Sequence, residues 1–250
     1  MALLPTRQRD QILLMVIVLS LGALPAPAAA ATDRLPDLGM ARLADFRIDT
    51  ASGHRRLRYS ATIVNVGAGP FELHGQRPDT TTDMTVTQRI FDDAGGYRDV
   101  ATGAAMYYAG DGHNHWHTRD LEVAELDRLD NGQQVGTLTK HGFCFSDNVA
   151  YRLGLPGAPP SRTYLSCGTD PLLLAVTMGL SVGWGDLYSY ATTDQWIDIT
   201  GLPAGRYRLL SSVNTGLGFV ESNTSNDGTW VDLQIRNHGS VRVLGYGPNA

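Results

Sequence analysis

Lysine is nearly missing from this chain, where Lys140 stands alone against nineteen arginines. A guanidinium stays protonated at any working pH, so side-chain amine chemistry is confined to that one position. A surface lysine left by drift in an arginine-biased composition is the plain alternative. Cysteine is almost as scarce, with only Cys144 and Cys167. Neither has a C-x-x-C or C-x-x-H neighbour, which argues against a thiolate metal site. In an oxidising compartment the two are expected to pair, and closing the interval between them is worth roughly 3 kcal/mol in the simple loop model. Basic clusters are lacking too, so nucleic acid is not an expected partner. The net charge of −5 becomes −6 without the first residues, where Arg7, Arg9 and Asp10 sum to +1. That is ordinary for the length and gives only weak long-range attraction for cations. Past the N-terminus there is no apolar run long enough for a membrane helix, and no stable membrane partner is expected. No internal repeat is visible.

The N-terminus has the makings of a signal peptide over residues 1–31. Arg7 and Arg9 precede an apolar stretch from Gln11 to Leu24, Pro25 and Pro27 break it, and Ala28-Ala29-Ala30-Ala31 offers a cleavage site. An uncleaved anchor is the alternative. No cysteine lies near this leader, which argues against a lipoprotein. The expected location is secreted or extracytoplasmic, with one domain over residues 32–250.

The remaining sequence reads as strands. Alternating or β-branched runs occur at Leu57–Val66, Met84–Phe91, Trp116–Leu126, Gln134–Phe145, Trp196–Ile199, Arg206–Val213, Trp230–Ile235 and Ser240–Leu244. Turn signals such as Gly67-Ala68-Gly69-Pro70 and Asp130-Asn131-Gly132 separate them. The expected fold class is mainly β, an antiparallel β-sandwich-like single domain with long irregular loops. Two stretches break the rhythm and are expected as loops: Leu153–Ser161, rich in glycine and proline, and Thr169–Tyr190.

The chemistry concentrates at Gly110-Asp111-Gly112-His113-Asn114-His115-Trp116-His117. Alternate residues of a strand share a face, so His113, His115 and His117 can converge. A flat strand would hold the outer two about 13 Å apart, too far for one ion. The flanking glycines permit the bend that brings the first inward. Three imidazoles suit copper, zinc, nickel or iron and leave coordination positions open for water or dioxygen. Three exposed histidines with no metal are the alternative.

Taken together these residues resemble the lysyl oxidase family, copper-dependent protein-amine oxidases, from about Leu57 to Gly239. The likeness rests on Leu57-Arg58-Tyr59, Asn65-Val66-Gly67, the histidine triplet and Lys140-His141-Gly142-Phe143-Cys144-Phe145-Ser146-Asp147. It continues in Gly183-Trp184-Gly185-Asp186-Leu187-Tyr188, Gln195-Trp196-Ile197-Asp198-Ile199-Thr200-Gly201-Leu202-Pro203 and Glu221-Ser222-Asn223. The resemblance implies copper on His113, His115 and His117. It also implies a lysyl tyrosylquinone cofactor, a crosslink between the Lys140 amine and an oxidised tyrosine. The family's D-x-Y element places that tyrosine at Tyr188. The spacing to Gln195 is one residue shorter than the family's, which keeps Tyr190 open. Implied partners are dioxygen and a primary amine or protein-lysine substrate, converted to an aldehyde with hydrogen peroxide and ammonia. The proton-abstracting carboxylate is read as Asp186, with Asp147 second. The resemblance further implies a calcium site from Asp37, the Leu38 carbonyl, Glu221, Asn223, Asn226 and Asp227. Two of these positions exchange Asp and Asn relative to the family element, so the total charge is unchanged. A polar turn is the alternative there. Several disulfides of the animal members are lacking, which leaves the substrate open. Two other functions stand beside this one. One is a secreted β-sandwich metal-binding module without catalysis. The other is a zinc hydrolase, which would need Glu122 or Glu125 as its general base.

Overall fold

A computed structural model describes residues 30–110, 112–213, 215–237 and 239–250. The expected leader therefore lies almost wholly outside the described residues, as does Asp111 beside the histidine triplet. The residues from Ala31 onward form one compact unit. In chain order the strands begin with β1 (Asp33–Arg34), β2 (Leu38–Met40), β3 (Ala44–Ala51), β4 (His54–Asn65), β5 (Phe71–Gln76) and β6 (Met84–Asp92). Next come β7 (Tyr97–Ala109), β8 (His115–Arg119), β9 (Glu122–Arg128), β10 (Gln134–Thr137), β11 (Gly142–Phe143) and β12 (Val149–Ala150). The last are β13 (Ala175–Leu180), β14 (Trp184–Tyr188), β15 (Trp196–Asp198), β16 (Gly205–Val213), β17 (Gly228–Ile235) and β18 (Val241–Tyr246). A single 3-10 turn, Thr215–Leu217, is the one helical element among the described residues, and none of their helices is long and apolar enough to cross a membrane.

The fold is mainly β, built of three antiparallel sheets. One runs β11-β8-β7-β6-β5-β13 with β1 beside β6, and a second runs β10-β9-β16-β17-β18. The third runs β12-β14-β4-β15, with β2 and β3 also on β4. Alternation explains the inner faces: Tyr207, Leu209 and Val213 of β16 and Val231, Leu233 and Ile235 of β17 are all buried while their neighbours are not. β4 alternates at first and is then buried on both faces from Tyr59 to Ala61, because other sheet elements cover both sides. The shared core draws from all three sheets and includes Trp116, Tyr59, Tyr207, Phe71, Phe143 and Phe145, each fully buried. Truncating any one of these aromatics to alanine would cost about 3–5 kcal/mol.

Three expectations need correction. Thr169–Tyr190 is not an irregular loop, since it holds β13 and β14. The glycines that suggested a loop are sites of close approach: a Cβ on Gly179 would lie 2.5 Å from the Phe71 carbonyl oxygen. Trp116–Leu126 is two strands, broken at Asp120 where φ is +53°. Gln134–Phe145 is likewise divided into β10 and β11, and Lys140 sits in the gap. The longest strand, β7, gave no signal because its alanines and glycine carry little β preference. Pairing with β6 and β8 on either side holds it instead. Leu153–Ser161 is irregular as expected.

Cys144 and Cys167 are disulfide-bonded. The bond fastens the segment just after β11 to the long connection between β12 and β13. That connection also touches the histidine strand, where the Trp116 amide donates to the Gly168 carbonyl at 3.1 Å and its indole N–H to the Asp170 carbonyl at 3.0 Å.

Candidate metal centre

The histidine triplet begins in a turn and ends in a strand. Gly112, with φ of +100°, and Asn114, with φ of +51°, reverse the chain after β7, and the Asn114 amide donates to the Ala109 carbonyl at 3.1 Å. His113 therefore leaves the strand line and folds back over His115 and His117, as the flanking glycines suggested. The ligating atoms of the three lie within 4.8 Å of one another, and among the described residues no other group of His, Cys, Asp or Glu gathers so closely. His115 Nδ1 is 2.7 Å from the His113 carbonyl oxygen. A carbonyl can only accept, so Nδ1 carries the proton and Nε2 keeps its lone pair for a metal. The Nε2 atoms of His115 and His117 are 2.8 Å apart. One first-row transition ion, with metal–imidazole bonds of about 2.0–2.1 Å, can hold both. The donor set thus fits copper, and equally a neighbouring ion of its series. Gly142 of β11 is what lets His117 sit here, because a Cβ at that position would fall 2.2 Å from His117 Nδ1 and 2.3 Å from the Tyr107 hydroxyl.

The lone lysine lies beside this centre. β11 pairs with β8, Phe143 opposite Thr118, which carries the preceding turn up to the histidine strand. Thr139 donates its amide to the Trp196 carbonyl at 3.0 Å, fixing the other side of that turn. Lys140 is only 5% exposed. Its Nζ stands 5.2 Å from the Phe143 ring centre and 5.6 Å from that of Tyr188, the two rings meeting edge to face at 5.1 Å. Lys140, His113 and His117 also line one pocket of about 190 Å³, together with Tyr107 and Asp194.

Tyr188 is buried on β14, where it pairs with Ala61 of β4. Its hydroxyl donates to Asp186 Oδ2 at 2.5 Å and lies 3.2 Å from the Cys144 carbonyl. Asn148 donates to Asp186 Oδ1 at 2.5 Å. Burial pushes the Asp186 carboxyl up to about 7, opposed by the hydrogen bonds from Tyr188, Ser146 and Asn148 and by the charge of Lys140. Burial and the neighbouring Asp186 charge hold the Tyr188 phenol well above its ordinary range.

The other expected residues fall elsewhere. Tyr190 is remote from this cluster in its contacts: its ring lies under the Arg47 guanidinium at 5.4 Å and its carbonyl accepts from Arg58. Asp147 is fully buried and takes hydrogen bonds from the amides of Thr163, Tyr164 and Ser181 and from the Ser181 hydroxyl, so it ties two loops together. Glu122 and Glu125, the bases a zinc hydrolase would need, line a neighbouring groove rather than the histidine pocket. In the expected calcium set, Leu38 donates its amide to Glu221 Oε2 at 2.6 Å and Asn226 donates to Asp37 Oδ1 at 2.7 Å. Asn223 donates to Asn226 Oδ1 at 2.7 Å, and both oxygens of the buried Asp227 lack hydrogen-bond partners.

The family model for lysyl oxidase matches residues 102–244, more than half of the chain and all of the histidine, lysine and tyrosine elements. The chain belongs to the lysyl oxidase family. Among its relatives, lysyl oxidase homolog 3A of Danio rerio is 26% identical over 188 residues, covering 74% of this chain and 20% of that protein. Protein-lysine 6-oxidase of Gallus gallus is 33% identical over 131 residues, 50% of this chain and 27% of that protein. The Sus scrofa protein-lysine 6-oxidase is 32% identical over 128 residues, 50% of this chain and 46% of that protein. The chain thus spans less than half the length of these relatives.

Within this lysyl oxidase domain, sequence reasoning passed over Gly142, Asn148 and the burial of Glu122. Gly142 sits inside the Lys140–Asp147 element and reads as an ordinary glycine until the His117 ring is placed against it. Glu122 carries a signal in hindsight: it occupies the inward phase of β9, the phase of Ala124 and Leu126, where an acidic side chain needs a reason.

Proposed function

We propose that this protein is a secreted copper- and quinone-dependent amine oxidase. It would deaminate primary amines, either peptidyl lysine or small amines, to aldehydes, with dioxygen as acceptor and hydrogen peroxide and ammonia as products. The observation that carries this reading is the Lys140 amine poised over the Tyr188 ring, in a pocket shared with His113 and His117. His113, His115 and His117 would hold copper, which supplies dioxygen activation for oxidising Tyr188. The remaining chemistry belongs to the chain itself. Phe143 and the disulfide-anchored Cys144 carbonyl confine the Tyr188 ring while Asp186 holds its hydroxyl. Lys140 supplies the nitrogen of the crosslink, for which Nζ must approach a ring carbon to about 3–3.5 Å. Asp186 then accepts the Cα proton of the bound amine, a task suited to a carboxyl titrating near neutrality.

The test is reconstitution of the whole secreted protein. Copper-loaded protein should gain a visible chromophore that reacts with phenylhydrazine, and should release peroxide and ammonia together from a primary amine. Full copper occupancy with no carbonyl-reactive chromophore would leave a metal-binding module and end the oxidase reading.

The second ion in this reading is calcium, at Asp37, Leu38, Glu221, Asn223, Asn226 and Asp227. Burial first, then the charges of Asp227 and Asp37, push the Glu221 carboxyl up to about 8, and burial with Asp37 pushes Asp227 to about 6. Both folded values are raised, so their contribution to stability is complete in acid and is lost as pH rises through about 6 to 8. In chelator the melting temperature should therefore fall between pH 5 and pH 8, to about the degree expected for two unfavourable carboxylates. Millimolar calcium should reverse the fall at pH 8 and do little at pH 5. A melting temperature indifferent to calcium at pH 8 would make this cluster a polar turn.

A further inference from the structure

Crosslinking requires the Lys140 nitrogen to be neutral, since an ammonium has no lone pair to bond with. A lysine that is 5% exposed cannot simply give its proton to bulk water. Two buried carboxylates feel the Lys140 charge, Asp186 and Glu122. Asp186 is occupied at both oxygens, by Asn148 at Oδ1 and by the Tyr188 hydroxyl at Oδ2. Glu122 is half-occupied. Its Oε1 accepts from the Tyr59 hydroxyl at 3.2 Å and from the Ser211 hydroxyl at 2.7 Å, while Oε2 is buried and has no hydrogen-bond donor. Both hydroxyls approach from other strands, Tyr59 on β4 and Ser211 on β16, so the carboxylate is held from two sides with one oxygen left over. Glu122 and Lys140 also border the same large groove, of about 530 Å³, alongside β9. The groups that act electrostatically on this carboxyl or respond to it are Tyr59, Ser211, Lys140, Gln195 and Tyr188. Lys140 is the cation among them.

We infer that Glu122 is the proton acceptor for Lys140 during cofactor formation, an assignment that rests on the amine oxidase reading above. The steps balance as follows. Dioxygen oxidises the Tyr188 phenol to an ortho-quinone, one oxygen atom entering the ring and the other leaving as water. Glu122 takes one proton from the Lys140 ammonium. The freed lone pair forms a C–N bond to a ring carbon. The hydrogen on that carbon and one amine hydrogen then leave with two electrons, which a second dioxygen takes up as hydrogen peroxide. Glu122 later returns its proton to solvent. Burial sets the Glu122 carboxyl at about 7 against the opposing pull of Ser211, Tyr59 and Lys140, which is where an acceptor working at neutral pH should titrate.

Glu122→Gln separates this role from scaffolding, because a glutamine oxygen still accepts from Tyr59 and Ser211 but an amide is no proton acceptor. Copper-free full-length protein would be mixed with copper(II) in air over a range of pH. The crosslinked Lys140–Tyr188 peptide would be followed by mass spectrometry. Wild type should crosslink at a rate that rises through pH 7 and then levels. Glu122→Gln should bind copper normally yet crosslink about tenfold more slowly or worse near pH 7. Its rate should keep climbing into the alkaline range, as Lys140 loses its proton unaided. Equal rates and equal pH profiles in the two proteins would overturn the assignment and leave the oxidase reading intact. Should Glu122→Gln fail to fold, the profiles of wild type and Asp186→Asn decide: a plateau above pH 7 that survives in Asp186→Asn supports Glu122, and a continued alkaline climb, or a plateau lost with Asp186, overturns it. A wild-type protein that binds copper but never crosslinks would refute the oxidase reading itself.

Discussion

Lys140→Arg is expected to yield a folded, copper-binding protein with no quinone chromophore and amine oxidation at background. The substitution keeps a positive charge on a long stem over the Phe143 and Tyr188 rings. A guanidinium nevertheless stays protonated and has no amine lone pair to add to an oxidised ring. The scarcity of lysine makes the result unusually easy to read. With Lys140 crosslinked, denatured wild-type protein has one amine left to label, the α-amino terminus; unprocessed copper-free protein has two. Lys140→Arg should take one label under both conditions. A fully labelled Lys140 in a preparation that still oxidises amines would end the lysyl tyrosylquinone assignment.

The second large effect is expected at Asp186. Asp186→Asn keeps the shape and an oxygen facing the Tyr188 hydroxyl but removes the proton acceptor, and should lower turnover by roughly 10²–10⁴-fold. Turnover must be expressed per quinone, titrated with phenylhydrazine, because the same carboxylate also positions the phenol during cofactor formation. The pH dependence follows from burial, which raises this carboxyl to about 7. A general base works when deprotonated, so wild-type kcat should be full above that pH and fall as pH drops below it. Asp186→Asn should lose this acid limb. Wild-type turnover per quinone in the variant would return the role to another group. The Glu122 experiment stays separable, because it reads the rate of crosslinking and this one reads turnover after crosslinking is complete.

Much of the site is legible because it is local. The histidine triplet occupies five residues, so strand alternation and a glycine-permitted bend suffice to bring its nitrogens together. The pairing of Cys144 with Cys167 followed from there being no other cysteines. The choice between Tyr188 and Tyr190 was not legible, since both lie near the end of β14 with the same side-chain phase. The two differ in what stands opposite: Lys140 and Phe143 for one, Arg47 and Arg58 for the other. Asp147 reads as a base from its place in the Lys140 element, and the fold gives it four hydrogen-bond donors from two distant loops that the sequence does not reveal. β7, β13 and β14 escaped because alanine and glycine weaken the strand signal where neighbouring backbones press close.

Residue identity alone settles which chemistry is available to this protein: one side-chain amine, three clustered imidazoles, one disulfide and a set of short alternating strands. Those are properties of composition and of neighbours a few residues apart. Tertiary structure decides which of these groups meet. The pairing of β11 with β8 brings Lys140 to the histidines, and the pairing of β14 with β4 brings Tyr188 and Asp186 to Lys140. β9, packed between β10 and β16, sets Glu122 along a groove that Lys140 also borders. Burial then moves the two carboxyls toward neutrality. Desolvation depends on what surrounds a group from every side, and those surroundings come from parts of the chain far apart in sequence.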